Sequence, residues 1–334
     1  MTGALSYADD QSPGITRRRR GRYWQYFDAR GKRITDRDAI DRLNGIGLPP
    51  AYRDAWFCPK PNGHIQATGY DEKGRKQYRY HEGFRERQEA AKYDRCAEFG
   101  RALTRLRKRV AADLRKRQLS RDTVVAAVVR LLDSGRIRVG NEAYAQSNDS
   151  FGATTLRSRH AKVRGKTVKM RFRAKGGIER ELSLTDRTLS RIVKQCQDLP
   201  GQNLFQFIDD EGEAQPVTST DVNDYIREAT GADFTAKHFR TWSASAIAFE
   251  QICAAGEEGI GLNAMLEPVA QALGNTPAMS RKSYVHPALV EALKQGRGES
   301  LGLLCPRPTK YLSSAERGLI RFLDKAGRKR SKAS

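Results

Sequence analysis

Leu273-Gly-Asn275-Thr-Pro277, running into Ser280-Arg-Lys-Ser-Tyr284-Val-His286-Pro287, is the stretch on which the reading of this chain turns. Asn275 can cap or turn the chain before Thr276-Pro277. Pro287 marks the start of a further helix, which leaves His286 a structural reading. Between the two proline signals lies a phenol, Tyr284, just after the cations Arg281 and Lys282. A tyrosine can serve as a covalent nucleophile, but its ordinary pKa near 10 means that cations or a proton acceptor must assist it. It can equally be one of the chain's 12 tyrosines with no chemistry at all.

Three upstream segments have the residue types that would complete such a site. Thr235-Ala-Lys237-His-Phe-Arg240-Thr-Trp242 opens a helix, and His238 within it has a structural reading. Lys175 sits at the Gly-rich tip of a predicted hairpin. Arg136-Ile-Arg138-Val-Gly140-Asn-Glu-Ala-Tyr144 follows an almost wholly apolar helix. Phosphodiester chemistry without a metal needs cations on the nonbridging oxygens, a nucleophile in line, and an acid for the leaving oxygen. Arginine suits the first task through its permanent charge and bidentate fork. These residue types are abundant here, so composition alone does not choose among them; ordinary surface arginines and turn lysines are the competing reading.

The whole chain has 334 residues, about two domains' worth. Lys and Arg number 61 against 39 Asp and Glu, a formal charge of +22. That surplus points to a polyanionic partner, DNA or RNA rather than a membrane surface, because no long basic amphipathic helix with an aromatic face is evident. The apolar runs are short; Val124–Val129 is ended by Arg130, far below the about 20 residues a membrane span requires. The amino terminus has acids and no hydrophobic region of a secretory signal. Five widely spaced cysteines argue against a disulfide framework, and the absence of CxxC, HxH and HExxH argues against zinc. No GxxxxGK[ST] phosphate loop occurs. The expectation from these features is a protein of the reducing cytosol without a zinc site.

The fold class expected is α+β. Residues 1–20 read as a flexible basic arm ending in the run Arg17–Arg20. Residues 21–85 read as a small β-rich domain: strands at Tyr23–Phe27, Trp56–Cys58, Ile65–Tyr70 and Gln77–Tyr80, with a short helix capped by Asp36. Residues 86–98 read as a hinge. Residues 99–300 read as a mainly helical catalytic domain, with a basic helix whose Leu103, Leu106, Val110 and Leu114 form one stripe, and a buried helix at 121–132. A β excursion of three strands is expected at Thr154–His160, Thr167–Arg173 and Glu179–Leu184, then a mainly helical region to about Gln295 and a linker at Gly296–Ser300. Residues 301–334 read as a last helix and basic tail.

The segments quoted above resemble the catalytic domain of type IB DNA topoisomerases, in the small bacterial and viral, poxvirus-like branch. The order Arg, hairpin Lys, Lys-x-x-Arg, Gly-Asn, Tyr matches over roughly 150 residues. Ile46-Gly-Leu-Pro-Pro50, His64-Ile-Gln-Ala-Thr-Gly69 and Gly74-Arg-Lys-Gln-Tyr-Arg-Tyr80 resemble that branch's amino-terminal β domain. The resemblance implies that Tyr284 attacks phosphorus and holds the 3′ end of the cut strand, that Arg138 and Arg240 grip the nonbridging oxygens, and that Lys175 protonates the departing 5′ oxygen. Asn275 stands where the viral enzymes have His; it can donate a hydrogen bond but cannot shuttle a proton. Lys237 falls on a supporting basic position that is typically His in tyrosine recombinases. Gln77, Tyr78 and Tyr80 fall on a DNA-contacting strand, and Tyr144 on a phosphate contact near Arg138. The resemblance also implies duplex DNA as the partner, clamped by a monomer with one domain on each side, an exchange that needs no cofactor, metal or ATP, and a cytoplasmic, nucleoid-associated place for the protein. A site-specific tyrosine recombinase and a non-enzymatic nucleic-acid-binding protein are the other readings; Lys237 and the β domain weigh against the first, the ordered residues against the second.

Overall fold

A computed structural model describes residues 4–296 and 298–331. The first three positions of the expected arm, position 297 of the expected linker and positions 332–334 of the expected tail lie outside the described residues. The chain divides into two compact units, one ending at Ala91 and one beginning at Lys92.

In the first unit, alternation and turn chemistry give five strands: β1 Ile15–Arg20, β2 Tyr23–Phe27, β3 Arg53–Phe57, β4 Ile65–Tyr70 and β5 Lys76–Tyr80. They form one antiparallel sheet in the order β2-β1-β3-β4-β5. Helix α1, Arg37–Gly45, starts at Asp36, whose carboxylate accepts from the Ala39 amide at 2.7 Å. Ile15, Tyr26, Leu43, Leu48, Phe57 and Ala67 make the core of this unit.

The run Arg17–Arg20, expected as part of a loose arm, is instead the body of β1 and pairs with β2, while β3 pairs with Ile15 and Thr16 ahead of it. The strand tolerates four arginines because Arg18, Arg19 and Arg20 are exposed and half-buried Arg17 finds polar and aromatic partners. The Arg17 guanidinium donates to the carbonyls of Leu48 (2.9 Å) and Pro49 (2.5 Å) and lies 4.0 Å from the Trp24 ring centroid. Arg18 stacks over Phe27 at 4.9 Å. The segment before β1 is also tied down: the Ser6 amide donates to Asn62 O (2.9 Å), and Trp56 Nε1 donates to Ser12 O (2.9 Å).

Helix α2, Glu82–Asp94, spans the division between the units. Residues 86–98, expected as a hinge, are helical apart from the turn at Arg95. The second unit continues with α3 Cys96–Asp113, α4 Arg121–Gly135 and α5 Glu142–Asn148. A three-stranded antiparallel sheet follows: β6 Ala161–Arg164, β7 Thr167–Arg173 and β8 Glu179–Thr185. Then come α6 Arg187–Gln197, the hairpin β9 Gln206–Ile208 and β10 Ala214–Pro216, α7 Ser219–Thr230, α8 Ala236–Ala255, α9 Leu262–Leu273, α10 Pro277–Ser283, α11 Pro287–Lys294, α12 Gly298–Gly302 and α13 Ser314–Ser331. Helix α4 is the centre of the core: Val124 to Val129 are at most 1% exposed.

Three sequence expectations are corrected here. Residues 154–160 are not a strand but two 3-10 turns, Ala153–Thr155 and Ser158–His160. Their β-forming residues are overruled by a close backbone approach, in which Ala153 N and Thr154 N donate to Arg138 O (2.8 Å) and Val139 O (2.7 Å). A Cβ on Gly152 would lie 2.5 Å from Gly140 N, so only glycine allows the approach. The β9–β10 hairpin is an element that the reading of the mainly helical region did not include. The expected linker at Gly296–Ser300 runs into α12.

Helix α13 is fastened to the core by a half-buried ionic cluster. The Arg107 fork donates to both oxygens of Asp133 (2.8 and 2.9 Å) and to both of Glu316 (2.9 and 2.7 Å), and Trp242 Nε1 donates to Glu316 Oε1 at 3.0 Å. Burial alone would raise the Glu316 carboxyl, but Arg107 and the indole N–H outweigh it and hold the group below its usual value. Removing one partner of such a cluster strands the rest, so Glu316→Gln is expected to cost about 3 kcal/mol of stability in urea unfolding. The wild-type contribution should be complete above the ordinary carboxylate value near 4.5 and be lost as pH falls through the lower folded value.

Candidate active site

The site is assembled around the end of α4. Arg136 adopts φ +53°, a left-handed cap that terminates the helix and returns its amide to Leu132 O at 3.1 Å. Buried Ile137 anchors the turn, and the backbone of Arg138 and Val139 is pinned by residues 153–154 as described. Arg138 is thereby presented from a rigid loop.

Arg240 lies on the second turn of α8 and is 4% exposed. Its Nη1 donates to Arg136 O at 2.6 Å and its Nη2 to Leu273 O at 3.1 Å, while Nε is buried with no partner. Burial and then the Arg138 charge pull its pKa down to about 10, which leaves it cationic at neutral pH. Helix α9 ends at Gly274, in the left-handed region at φ +62°, and this turn delivers Asn275. Asn275 Oδ1 accepts from Arg138 Nη2 at 3.3 Å, and its Nδ2 is buried with no partner.

Tyr284 is held at the end of α10. Ser280 O accepts from the amides of Tyr284 (3.0 Å) and Val285 (2.9 Å). The buried Ser245 hydroxyl, on α8, donates to Thr241 O (2.9 Å), lies 3.4 Å from Tyr284 O and accepts from the His286 amide (3.0 Å). The Arg240 guanidinium carbon is 4.8 Å from the Tyr284 ring centroid. Burial would raise the phenol, but the charges and hydrogen bonds of Arg240 and Arg138 outweigh it and bring the pKa below 10. A phenol, two guanidiniums and a carboxamide thus converge from four separate elements. Two of their N–H donors are buried and unsatisfied, which is costly unless an acceptor arrives.

The remaining expected residues lie outside this group. Lys175 is exposed at the β7–β8 tip, 5.9 Å over the Tyr144 ring, with no hydrogen bond or ion pair to the other four. Tyr144 is in α5, whose cap Asn141 accepts from its amide at 3.0 Å. Lys237 is exposed, three residues before Arg240 on α8. In the first unit, the Tyr78 and Tyr80 rings stack in parallel at 5.9 Å, each 41% exposed, and Tyr80 continues onto Phe84 at 5.5 Å. Gln77 Nε2 donates to Asp71 (3.0 Å), a carboxylate held at about 2 chiefly by its hydrogen bond from Arg75. His238 and His286 have the structural roles expected of them: each Nδ1 accepts from a backbone amide at a helix start, Thr235 N and Ala288 N.

Sequence reasoning missed three neighbours. Lys92 donates to Ser283 O and sits 5.4 Å from the Tyr284 ring centroid. Ser245 fixes the Tyr284–His286 backbone. Arg180, on β8, donates to Gln271 O (3.1 Å) and Ala272 O (2.9 Å) at the end of α9. Only the last left a sequence signal: Arg180 shares the inward face of an alternating strand with Leu182 and Leu184.

Comparison with known proteins agrees with this architecture. Residues 81–297 match the family described as eukaryotic DNA topoisomerase I, catalytic core, and residues 23–71 match bacterial DNA topoisomerase IB, N-terminal domain. A DNA topoisomerase 1B from Acanthamoeba polyphaga mimivirus is 30% identical over 286 residues, covering 81% of this chain and 85% of the relative. A DNA topoisomerase 1 from Mycosarcoma maydis is 23% identical over 193 residues, 52% of this chain but 19% of the relative. The protein is a DNA topoisomerase with an amino-terminal β unit and a mainly helical catalytic unit. The chain belongs to the type IB DNA topoisomerase family, and its activity is the relaxation of supercoiled DNA.

Proposed function

We propose that this activity proceeds through Tyr284. Its phenolic oxygen attacks a backbone phosphorus, the phenol losing its proton as the new P–O bond forms. The bond to the 5′ oxygen breaks, Lys175 gives that oxygen a proton, and the 3′ end stays on the enzyme as a phosphotyrosine. The 5′ end then rotates about the intact strand, driven by torsion, and its hydroxyl reverses the exchange. One phosphodiester replaces another throughout, so no ATP is consumed, and the cations in place need no metal.

The observation that supports this most is the pair of unsatisfied buried donors, Arg240 Nε and Asn275 Nδ2, beside a phenol whose pKa is lowered by the same arginines. A nonbridging phosphate oxygen is the acceptor they lack. Arg138 and Arg240 hold the phosphate, Asn275 adds a neutral donor, and Tyr144 and Lys237 contact the flanking backbone. Tyr78, Tyr80 and Gln77 supply a second DNA contact, for which Gln77 exchanges its bond to Asp71. One copy of the chain acts on duplex DNA of the cytoplasmic nucleoid.

The test is relaxation of supercoiled plasmid in EDTA without ATP, with the trapped adduct digested and mapped. Relaxation with the label on Tyr284, through the 3′ terminus of the nick, is expected. A label elsewhere, or through the 5′ terminus, defeats the assignment.

A further inference from the structure

Of the five groups proposed to act on the phosphodiester itself, Lys175 is the one that is exposed and outside the arginine–phenol group, so something must hold its hairpin in register with that group. We propose that Arg180 is the positioning residue that does so: it locks the hairpin bearing Lys175 to the end of the helix that delivers Asn275. The inference rests on the leaving-group role proposed above for Lys175.

The hairpin tip is short and internally closed. Ala174 N donates to Ile178 O at 2.8 Å, Gly177 N to Ala174 O at 3.0 Å, and Gly176 and Gly177 take φ +83° and +76°. The position of Lys175 therefore follows that of the last rungs of the ladder, Phe172↔Arg180 and Arg173↔Glu179. On the outward face Glu179 of the last rung pairs with Arg171 of the rung before those two, and with side chains 70% and 62% exposed that ion pair holds little. On the inward face, Phe172 is buried and Arg180 reaches across to α9.

There its fork takes the Gln271 and Ala272 carbonyls in the last turn of the helix, where the dipole favours a cation; the Gln271 carbonyl also accepts from the Gly274 amide at 3.3 Å. The contact is tight as well as polar. A Cβ on Gly274 would lie 2.8 Å from both Arg180 Cδ and Nη1, so the guanidinium packs directly on the turn that precedes Asn275. Arg240 donates to the next carbonyl, that of Leu273. The two arginines thus fix the same helix end, one from the phosphate side and one from the hairpin side.

Arg180 holds this place against electrostatic opposition. Its pKa is lowered by burial and then by the charge of Arg138, and it contributes in turn to lowering that of Arg240. With both fork nitrogens committed to carbonyls, its geometry is that of a strap and not of a phosphate ligand. Lysine could supply the charge but not two bonds in one plane.

The experiment is single-turnover cleavage by the full chain on two duplex substrates. One has the ordinary 5′ oxygen at the cut; the other has a bridging sulfur there, which leaves as a thiolate without needing a proton. Lys175→Ala should be slow on oxygen and recover on sulfur. If Arg180 acts through Lys175, Arg180→Ala should be slower by about 10²-fold on oxygen, the cost of a misplacement of about 1 Å, and should recover on sulfur. Adding Arg180→Ala to Lys175→Ala should then change the rate by no more than about twofold. Arg180→Lys, which keeps charge and stem, should show the same oxygen-specific loss in smaller measure, and it answers the question if the alanine variant does not fold. Equal losses on both substrates, or losses that multiply in the double variant, overturn the assignment of Arg180. Failure of Lys175→Ala itself to recover on sulfur removes Lys175 as the acid and takes this inference with it, whereas recovery by Lys175→Ala without recovery by Arg180→Ala defeats Arg180 alone.

Discussion

Tyr284→Phe should yield a chain that folds and binds duplex DNA as the wild type does, yet forms no covalent adduct and relaxes no supercoils. The substitution removes one oxygen. The segment that carries the ring keeps its place without the phenol oxygen, because backbone bonds fix it: the Ser280 carbonyl on the Tyr284 and Val285 amides and the Ser245 hydroxyl on the His286 amide. DNA affinity comes mainly from phosphate contacts by the chain's surplus of cations, which the change leaves intact. The loss therefore falls on chemistry alone, and removal of a covalent nucleophile is expected to cost at least about 10⁴-fold in rate. A gel-shift titration beside a relaxation time course checks both halves. Any adduct in the Phe variant would show that another side chain attacks.

Much of this site was legible because its residues sit in locally distinctive sequence. Arg138 follows an apolar helix, Arg240 opens another, and Asn275 and Tyr284 flank a short segment with a proline at its start. Helix ends and turns of this kind are written in nearby residues, and the structure brings these four together. The partners that hold them were not legible, because they are backbone carbonyls distant in sequence: Arg180 reaches residues 91 and 92 positions away, and Arg240 reaches back to Arg136. No residue type announces a carbonyl acceptor. The errors of fold have the same origin. Arg17–Arg20 read as a solvated arm because nothing in the run itself reveals Trp24, Phe27 and the Leu48 carbonyl. Residues 154–160 read as a strand because their β propensity was visible and the Gly140–Gly152 approach was not.

Arg240→Ala should lower the cleavage rate by at least about 10²–10³-fold, the usual cost of removing one preorganised donor to a developing anion, and should also change its pH dependence. The second effect has a definite sign. Burial works to raise the Tyr284 phenol and the two arginines lower it, Arg240 more than Arg138. Removing Arg240 leaves burial less opposed, so the phenol's pKa rises and its ionised fraction at any fixed pH falls. The alkaline limb of the single-turnover rate profile, which climbs as the phenol ionises, should therefore move to higher pH in Arg240→Ala. Arg240→Lys separates the two contributions. An ammonium retains much of the charge near the ring but not the planar fork that bonds Arg136 O and Leu273 O, so the limb should stay nearer its wild-type position while the rate remains low. Arg138→Ala should shift the limb in the same direction by less, since its influence on the phenol is the smaller one. If the limb does not move in Arg240→Ala, the guanidinium stacked 4.8 Å from the ring does not control the phenol, and its part in the reaction is confined to the phosphate.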